Sequence, residues 1–231
     1  MKTVFLILML FFNLTQLSGQ VDNPLFTDAV KKNFRYFKAQ SNQAYHYGDF
    51  DRGRFLFDSL VQNQLIGSKF NDFTLKKVSN KKLKFSKIKK PIFLVTYAAW
   101  CVPTKGEIPA LNKLAKEYEK DFEFIVIIWG KKKEAAKFAK KFSNKIEVCY
   151  AHKNYRNDNE IVHSLKETLG FPTTYLIDEQ LQVIDIKRGN RTIPFQAPLK
   201  KALEENYVMF SDKLKILKEN TLKTESGLAT F

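Results

Sequence analysis

Short apolar runs alternate along the chain with stretches of helical periodicity, and this alternation limits the folds that the chain can adopt. Residues 92–97 carry no charge and are typical of a buried strand, whereas Ile108, Leu111, Leu114 and Ala115 recur on one face of a helix. Strands that alternate with helices favour parallel pairing, with helices packed over the sheet. The sequence therefore predicts an α/β sandwich that has parallel central strands and an antiparallel hairpin at one edge.

The same patterns predict the other elements of this sandwich. A β-hairpin is expected from residues 66–75 and 82–85, which flank the polar turn Ser79-Asn80. Further strands are predicted over residues 122–129, 146–150, 173–177 and 181–186. One further helix is predicted from an inward-facing stripe with helical spacing: Ala135, Phe138, Ala139 and Phe142. A second is predicted over residues 161–169, with Asp158 as its N-cap and Gly170 as its stop signal. A third is predicted from about residue 195 to 207.

The first 19 residues have the pattern of a secretory signal peptide. Lys2 precedes an uncharged apolar stretch, residues 4–12, and Gly19 is a small residue directly before Gln20. The apolar stretch is far shorter than the roughly 20 residues that a membrane span needs. We therefore expect cleavage near Gln20 and export to the periplasm or cell envelope of a bacterium. Since Gln20 is not cysteine, we expect no lipid anchor. The alternative to a signal peptide is that this apolar segment forms a buried N-terminal helix.

Two further segments flank the predicted sandwich, which we place at residues 66–207. Residues 20–65 are expected to form a helical extension, because apolar residues recur at helical spacing in two places: Val30, Phe34 and Phe37, and Phe55, Leu56, Leu60 and Leu65. Residues 208–231 are expected to be a Lys-rich C-terminal tail. Neither segment carries a recognisable catalytic motif.

The formal net charge of +15 raises the question of an anionic partner. Lysine outnumbers arginine, although arginine is better suited to reading bases, and the lysine runs are dispersed rather than interleaved with aromatic residues. A solvated, lysine-rich surface explains this pattern better than nucleic-acid binding does.

The segment Trp100-Cys101-Val102-Pro103-Thr104 follows the first buried strand and precedes a predicted helix. A cysteine at a helix N-terminus meets free N–H groups and the positive end of the helix dipole, and both stabilise thiolate over thiol. Cys101 is therefore the candidate nucleophile, and an inert packed thiol is the alternative. The second cysteine, Cys149, lies in a strand-like run, and a structural disulfide between the two is a further alternative for an exported protein.

These motifs together resemble the TlpA/ResA branch of the thioredoxin superfamily over residues 66–207. The resemblance rests on Gly67 with the segment 72–75, on Ala99-Trp100-Cys101 with Pro103, on Glu107 and Pro109, and on Gly170-Phe171-Pro172-Thr173-Thr174. It implies a thioredoxin-like sandwich with a central mixed sheet, helices on both faces, an N-terminal β-hairpin and a helical extension. It also implies an exported thiol–disulfide oxidoreductase that acts on protein thiols and disulfides without a cofactor.

The resemblance assigns roles to individual residues. Thr104 stands where the family has its second cysteine, and a hydroxyl cannot resolve a mixed disulfide. Glu107 matches a carboxylate that assists proton transfer, the alternative being a solvent-facing helix glutamate. Pro172 matches a cis-proline that faces the reactive cysteine, and Val95 replaces the buried aspartate of thioredoxin. The substrate-binding residues implied by the same motifs are Trp100, Pro103, Phe171 and Thr173.

Three functional hypotheses remain open from the sequence. In the first, Cys101 forms mixed disulfides that Cys149, a substrate thiol or an external thiol reductant resolves. In the second, catalysis has been lost and the fold holds a client or partner. The third is peroxidase chemistry, which the order of cysteine and threonine disfavours. His152 and His163 do not complete a metal site at a useful spacing, so we expect no metal.

Overall fold

The computed structural model describes residues 23–189, 193, 194 and 196–228. The predicted signal peptide lies outside these residues. Among the described helices, none combines the length and the apolar character needed to cross a membrane.

The chain forms seven strands and six α-helices within the described residues. The strands are β1 (Thr74–Lys77), β2 (Lys82–Lys84), β3 (Ile92–Ala98), β4 (Glu123–Trp129), β5 (Ile146–Ala151), β6 (Thr173–Ile177) and β7 (Val183–Arg188). The helices are α1 (Phe26–His46), α2 (Phe50–Leu60), α3 (Glu107–Glu117), α4 (Lys132–Ala139), α5 (Asn159–Ile161) and α6 (Leu199–Leu228). Two π-helical segments, Val61–Leu65 and Val162–Glu167, extend α2 and α5.

All seven strands belong to one mixed sheet in the order β2-β1-β5-β4-β3-β6-β7. The central strands β3, β4 and β5 are parallel, and β1, β6 and β7 pair antiparallel with their neighbours. The predicted hairpin is present as β1 and β2, but its first strand is Thr74–Lys77 rather than residues 66–75. A second hairpin, β6 and β7, forms the other edge of the sheet. The predicted mixed α/β sandwich is therefore confirmed.

Side-chain alternation along the central strands divides the apolar interior into two layers. Ile92 and Leu94 of β3 contact one layer, which α1, α2 and α5 cover, while Phe93, Val95 and Tyr97 contact the other, which α3, α4 and α6 cover. Successive strand residues point to opposite faces, so a strand buried on both faces is continuously apolar. Helices on both faces follow directly from this pattern.

The N-terminal extension is helical, as predicted, and packs on the first layer. Val30 and Phe37 of α1 and Leu60 of α2 are buried. Phe55, however, is 61% exposed, and Phe57 is buried in its place. The predicted stripe is therefore correct for Leu60 and Leu65, which are buried, and for Leu56, which packs against the same layer, and it is wrong for Phe55. The Asp49 carboxylate caps the helix by accepting from the Arg52 N–H.

The C-terminal helix α6 does not end near residue 207, and the prediction of a separate tail from residue 208 is wrong for this reason. Phe210, Leu214 and Leu217 are buried against the second layer. Their i, i+4, i+7 spacing places them on one face of a continuing helix. The many lysines of the segment obscure that stripe in the sequence.

Two smaller predictions also differ from the structure. Asp158 does not cap α5 with its side chain; its carboxylate accepts a hydrogen bond from the His152 N–H at 3.1 Å instead. The last strand is Val183–Arg188 rather than residues 181–186, because Leu181 adopts a positive φ of 64° in the turn after β6.

Candidate active site

Cys101 lies in a loop, residues 99–106, that connects β3 to α3 at the carboxyl edge of the sheet. Its N–H donates to the Ala98 carbonyl at 2.9 Å, and its side chain is half-buried. The helix begins only at Glu107, so the prediction that Cys101 and Pro103 occupy a helix N-terminus is wrong. Gly106, at φ +77°, adopts the left-handed conformation and separates the loop from the helix.

The Glu107 carboxylate holds this loop in place through hydrogen bonds. It is only 6% exposed and accepts three hydrogen bonds: from the Tyr97 hydroxyl at 2.6 Å, and from the Thr104 N–H and hydroxyl at 2.8 and 2.7 Å. The solvent-facing alternative for Glu107 is therefore wrong. The Thr104 hydroxyl donates to this carboxylate.

Tyr97 interacts electrostatically with both Glu107 and Cys101. Burial raises the pKa of Tyr97 well above its ordinary value, and the negative charges of Glu107 and Cys101 raise it further. The phenol therefore remains protonated at neutral pH and serves as a hydrogen-bond donor to Glu107. The hydrogen bond from Tyr97 therefore helps to fix the orientation of the Glu107 carboxylate.

Helix α6 contacts the C-terminal end of the same loop, at Lys105 and Gly106. The Asn206 amide, which is 1% exposed, donates to the Lys105 carbonyl at 3.0 Å and to the Ala202 carbonyl at 2.7 Å. At Gly106 an added Cβ would lie 2.5 Å from the Leu203 nitrogen, so only glycine permits this approach of two backbones. Sequence reasoning missed Asn206, because its partner lies 101 residues away along the chain.

The opposite wall of the site is the segment that precedes β6. The Phe171–Pro172 peptide bond is cis, in agreement with the sequence motif. The rings of Phe171 and Trp100 meet edge to face at 5.6 Å between centroids, and Trp100 is 77% exposed. The Pro172 carbonyl accepts from the Gly189 N–H at 2.8 Å, and a Cβ at Gly189 would lie 2.5 Å from the proline ring.

Thr173 does not fit the substrate-binding role that the resemblance implied for its side chain. It is fully buried, and its hydroxyl donates to the Gly170 carbonyl at 3.1 Å. Its carbonyl accepts from the Thr96 hydroxyl at 3.3 Å, across to β3. The residue therefore holds the proline segment against β3 rather than facing a ligand.

Cys149 lies in the middle of β5 and is fully buried in the first apolar layer. Both cysteines are free thiols, so the structural disulfide is not formed. Burial, with a smaller contribution from the charge of Glu147, raises the pKa of the Cys149 thiol to about 12. A thiol that is neutral and inaccessible at neutral pH is a poor nucleophile.

The two histidines considered as ligands have other partners. His152 Nδ1 accepts from the Asn154 N–H at 3.1 Å, and His163 Nδ1 lies 3.2 Å from the Glu167 carboxylate. Within the part of the chain that the structure describes, no three His, Cys, Asp or Glu side chains gather as metal ligands would.

The amino-acid sequence is similar to those of several known proteins. The family model described as AhpC/TSA matches residues 66–186, slightly more than half of the chain. A thioredoxin-like protein from Bacillus subtilis is 28% identical over 127 residues, which are 54% of this chain and 73% of the relative. A thiol-disulfide oxidoreductase from Bacillus thuringiensis is 29% identical over 130 residues, 55% of this chain and 72% of the relative.

Among solved structures, the solution structure of a protein disulfide isomerase candidate from Bacteroides thetaiotaomicron matches with a TM-score of 0.50 and 20% identity. The match covers 66% of this chain and 89% of that chain. At this level of identity the likeness establishes the thioredoxin-like fold alone.

Proposed function

The chain belongs to the AhpC/TSA family, and from this membership we propose that it is a thiol–disulfide oxidoreductase that uses a single cysteine, Cys101, to form mixed disulfides with protein substrates. The observation that carries the proposal is the contrast between the two thiols. Cys101 is half-buried at the carboxyl edge of the sheet, whereas Cys149 is sealed inside the sandwich with its pKa raised to about 12.

The first chemical step follows from this contrast. The Cys101 thiolate attacks one sulfur of a substrate disulfide, the new bond joins Cys101 to that sulfur, and the other substrate sulfur leaves as a thiolate that takes a proton from water. Neither neighbour can complete the cycle: Thr104 offers a hydroxyl that Glu107 already holds, and Cys149 is inaccessible. A second thiol, on the substrate or external, then releases the product, which corresponds to isomerase-like or reductase activity.

The walls of the site support a protein substrate. Trp100 is 77% and Val102 is 91% exposed, so two apolar side chains flank Cys101 in the chain sequence. The Phe171 ring packs against the edge of Trp100, and Pro103 lies in the same loop. Exposed aromatic and aliphatic groups around a reactive sulfur favour contact with an apolar polypeptide segment.

The Glu107 network has a positioning role in this proposal. The three hydrogen bonds to its carboxylate fix Thr104 and Tyr97, and Asn206 fixes Lys105. These bonds hold the C-terminal part of the loop, at Thr104 and Lys105, while Cys101 remains partly accessible. This pre-organisation lowers the entropic cost of bringing two sulfur atoms into line.

We also propose that the protein acts in the cell envelope, since the apolar segment 4–12 after Lys2 is typical of a signal peptide. Fractionation of the source cells with N-terminal sequencing should find a mature chain that starts close to Gln20 outside the cytoplasm. A soluble cytosolic chain that still starts at Met1 would contradict this location.

The function is tested by trapping the mixed disulfide. Purified Cys149→Ala and Cys101→Ser variants are incubated with a protein that contains one accessible disulfide, quenched with acid and examined by non-reducing mass spectrometry. The Cys149→Ala variant should form the adduct as the wild type does, and the Cys101→Ser variant should form none. Absence of an adduct in the wild type would favour the alternative, a binding module without catalysis.

A further inference from the structure

A basic cleft of about 650 Å³ lies beside the candidate active site, and Ala99 and Trp100 of the active-site loop line it. Its lining includes Trp100, Trp129, Lys137, Lys141 and Lys166. Trp129 ends β4, and the cleft also reaches the residues that follow β3 and β5. In open α/β sheets, the crevice outside the carboxyl ends of parallel strands is the usual place for a small ligand.

The charge of the cleft is positive. Lys137, Lys141 and Lys166 contribute three ammonium groups, and the ion pairs found among the described residues involve other lysines. Glu134 is the acidic lining residue, and its carboxylate already accepts from the Lys131 N–H at 2.7 Å as part of a helix cap. His152, which also lines the cleft, accepts a hydrogen bond from the Asn154 N–H at Nδ1.

A second observation points to a ligand in the same place. The Trp129 side chain is 3% exposed, and its indole N–H has no hydrogen-bond partner among the described residues. Most buried donors in folded proteins are paired, and an unpaired one favours any state in which an acceptor reaches it. Trp129 lines the basic cleft, so an acceptor that enters the cleft comes close to the residue whose N–H is unpaired.

We propose that the basic cleft binds the carboxylate groups of an anionic low-molecular-weight thiol, which acts as the reductant that releases substrate from Cys101. The proposal rests on the proposed function, because a single-cysteine mechanism requires a second thiol that neither Thr104 nor Cys149 supplies. The cleft shares Trp100 with the active-site loop, so a thiol held there by its carboxylates lies next to the residue that carries the mixed disulfide.

The release proceeds in two balanced exchanges. The thiolate of the small molecule attacks Cys101 Sγ, the bond between Cys101 and the substrate sulfur breaks, and the substrate leaves as a thiolate that takes a proton from water. A second molecule of the thiol then attacks the small-molecule sulfur on Cys101, which releases the symmetrical disulfide and the Cys101 thiolate. The substrate disulfide is reduced to two thiols, and two small thiols are oxidised to one disulfide.

The kinetic test uses charge as the variable. A neutral, fluorescent cysteine peptide is linked to Cys101, and its release is measured with glutathione, 2-mercaptoethanol and cysteamine, each rate being divided by the thiolate fraction at that pH. Against a variant with Lys137→Gln, Lys141→Gln and Lys166→Gln, the wild type should react about five- to tenfold faster with glutathione, since three partly screened charges act within about 10 Å. The rates with 2-mercaptoethanol should be equal.

The matched control removes the same charge elsewhere. Lys31, Lys32 and Lys38 are exposed on α1, and their replacement by Gln should leave the preference for glutathione unchanged. Equal losses in the two triple variants would overturn the proposal, because the effect would then come from net charge alone. Failure of the wild type to form the peptide adduct would instead refute the single-cysteine function, which separates the two failures.

A binding measurement without chemistry completes the test. The chain has two tryptophans, so its indole N–H spectrum contains two signals, which a Trp100→Phe variant assigns. S-methylglutathione, which cannot exchange, should move the Trp129 signal in the wild type and leave it unmoved in the cleft triple variant. An acidic peptide that moves the signal more than S-methylglutathione at equal concentration would assign the cleft to the protein substrate and overturn the proposal.

Discussion

Replacement of Glu107 by alanine should destabilise the fold by about 3 kcal/mol. The carboxylate accepts hydrogen bonds from Tyr97 and, twice, from Thr104 at 2.6–2.8 Å. Hydrogen bonds to a charged group contribute about 1.5–3 kcal/mol each, so the three together contribute roughly 5–9 kcal/mol before other effects. The contributions of three hydrogen bonds that share one carboxylate are not additive, so we expect the smaller net loss.

The Glu107→Gln variant separates the charge from the geometry. Its amide oxygen can accept from Thr104 while its NH₂ group donates to the Tyr97 oxygen, so we expect a loss of only about 1 kcal/mol. Glu117 on the same helix provides the matched control, because its carboxylate accepts from the Tyr207 hydroxyl at 2.5 Å in an exposed position. Glu117→Ala should change the free energy of unfolding by no more than about 0.5 kcal/mol.

The assay is urea denaturation at neutral pH, combined with a double-mutant cycle between Glu107→Ala and Tyr97→Phe. A coupling energy of at least about 1 kcal/mol is expected for the directly bonded pair. The alkylation rate of Cys101 should also change in Glu107→Ala and not in Glu117→Ala, since only the first releases the loop. Equal stability of the two alanine variants would refute the view that Glu107 fixes the active-site loop.

Three further predictions concern the cysteines and the loop. The unfolded Cys149 thiol ionises near pH 9.0 and the folded one near 12, so the stability that the neutral buried thiol contributes is complete well below pH 9 and is lost as pH rises. Between pH 9 and 10 the wild type should lose about 1 kcal/mol more of unfolding free energy than Cys149→Ala in denaturant titrations. Thr104→Cys should add a resolving thiol, and protein-disulfide reduction should then depend less on added free thiol, whereas an unchanged dependence would mean that the two positions cannot exchange. Gly106→Ala should lower the unfolding free energy by about 3 kcal/mol, because it combines a positive φ with a clash against the α6 backbone, whereas Gly67→Ala, with positive φ and open space, should cost about 1 kcal/mol.

The sequence by itself determined the sandwich, because strand and helix periodicities are local properties of the chain. The continuous apolar run of β3 and the stripe of α3 specify buried elements wherever they pack. The site segments were recognised through the resemblance to the TlpA/ResA branch, which the motifs Trp100-Cys101 and Phe171-Pro172 carry. These features depend on neighbours within a few residues.

Tertiary structure alone decided how the loop is held and that the Cys149 thiol is inaccessible. The Asn206 contact joins residues 101 positions apart, and the Cys149 side chain becomes inaccessible only when β5 is covered. The start of α3 moved from the predicted position because Gly106 approaches the backbone of α6, a contact that no local pattern encodes. Burial and long-range hydrogen bonds are consequences of the complete fold, and the reactivity of each side chain follows from them.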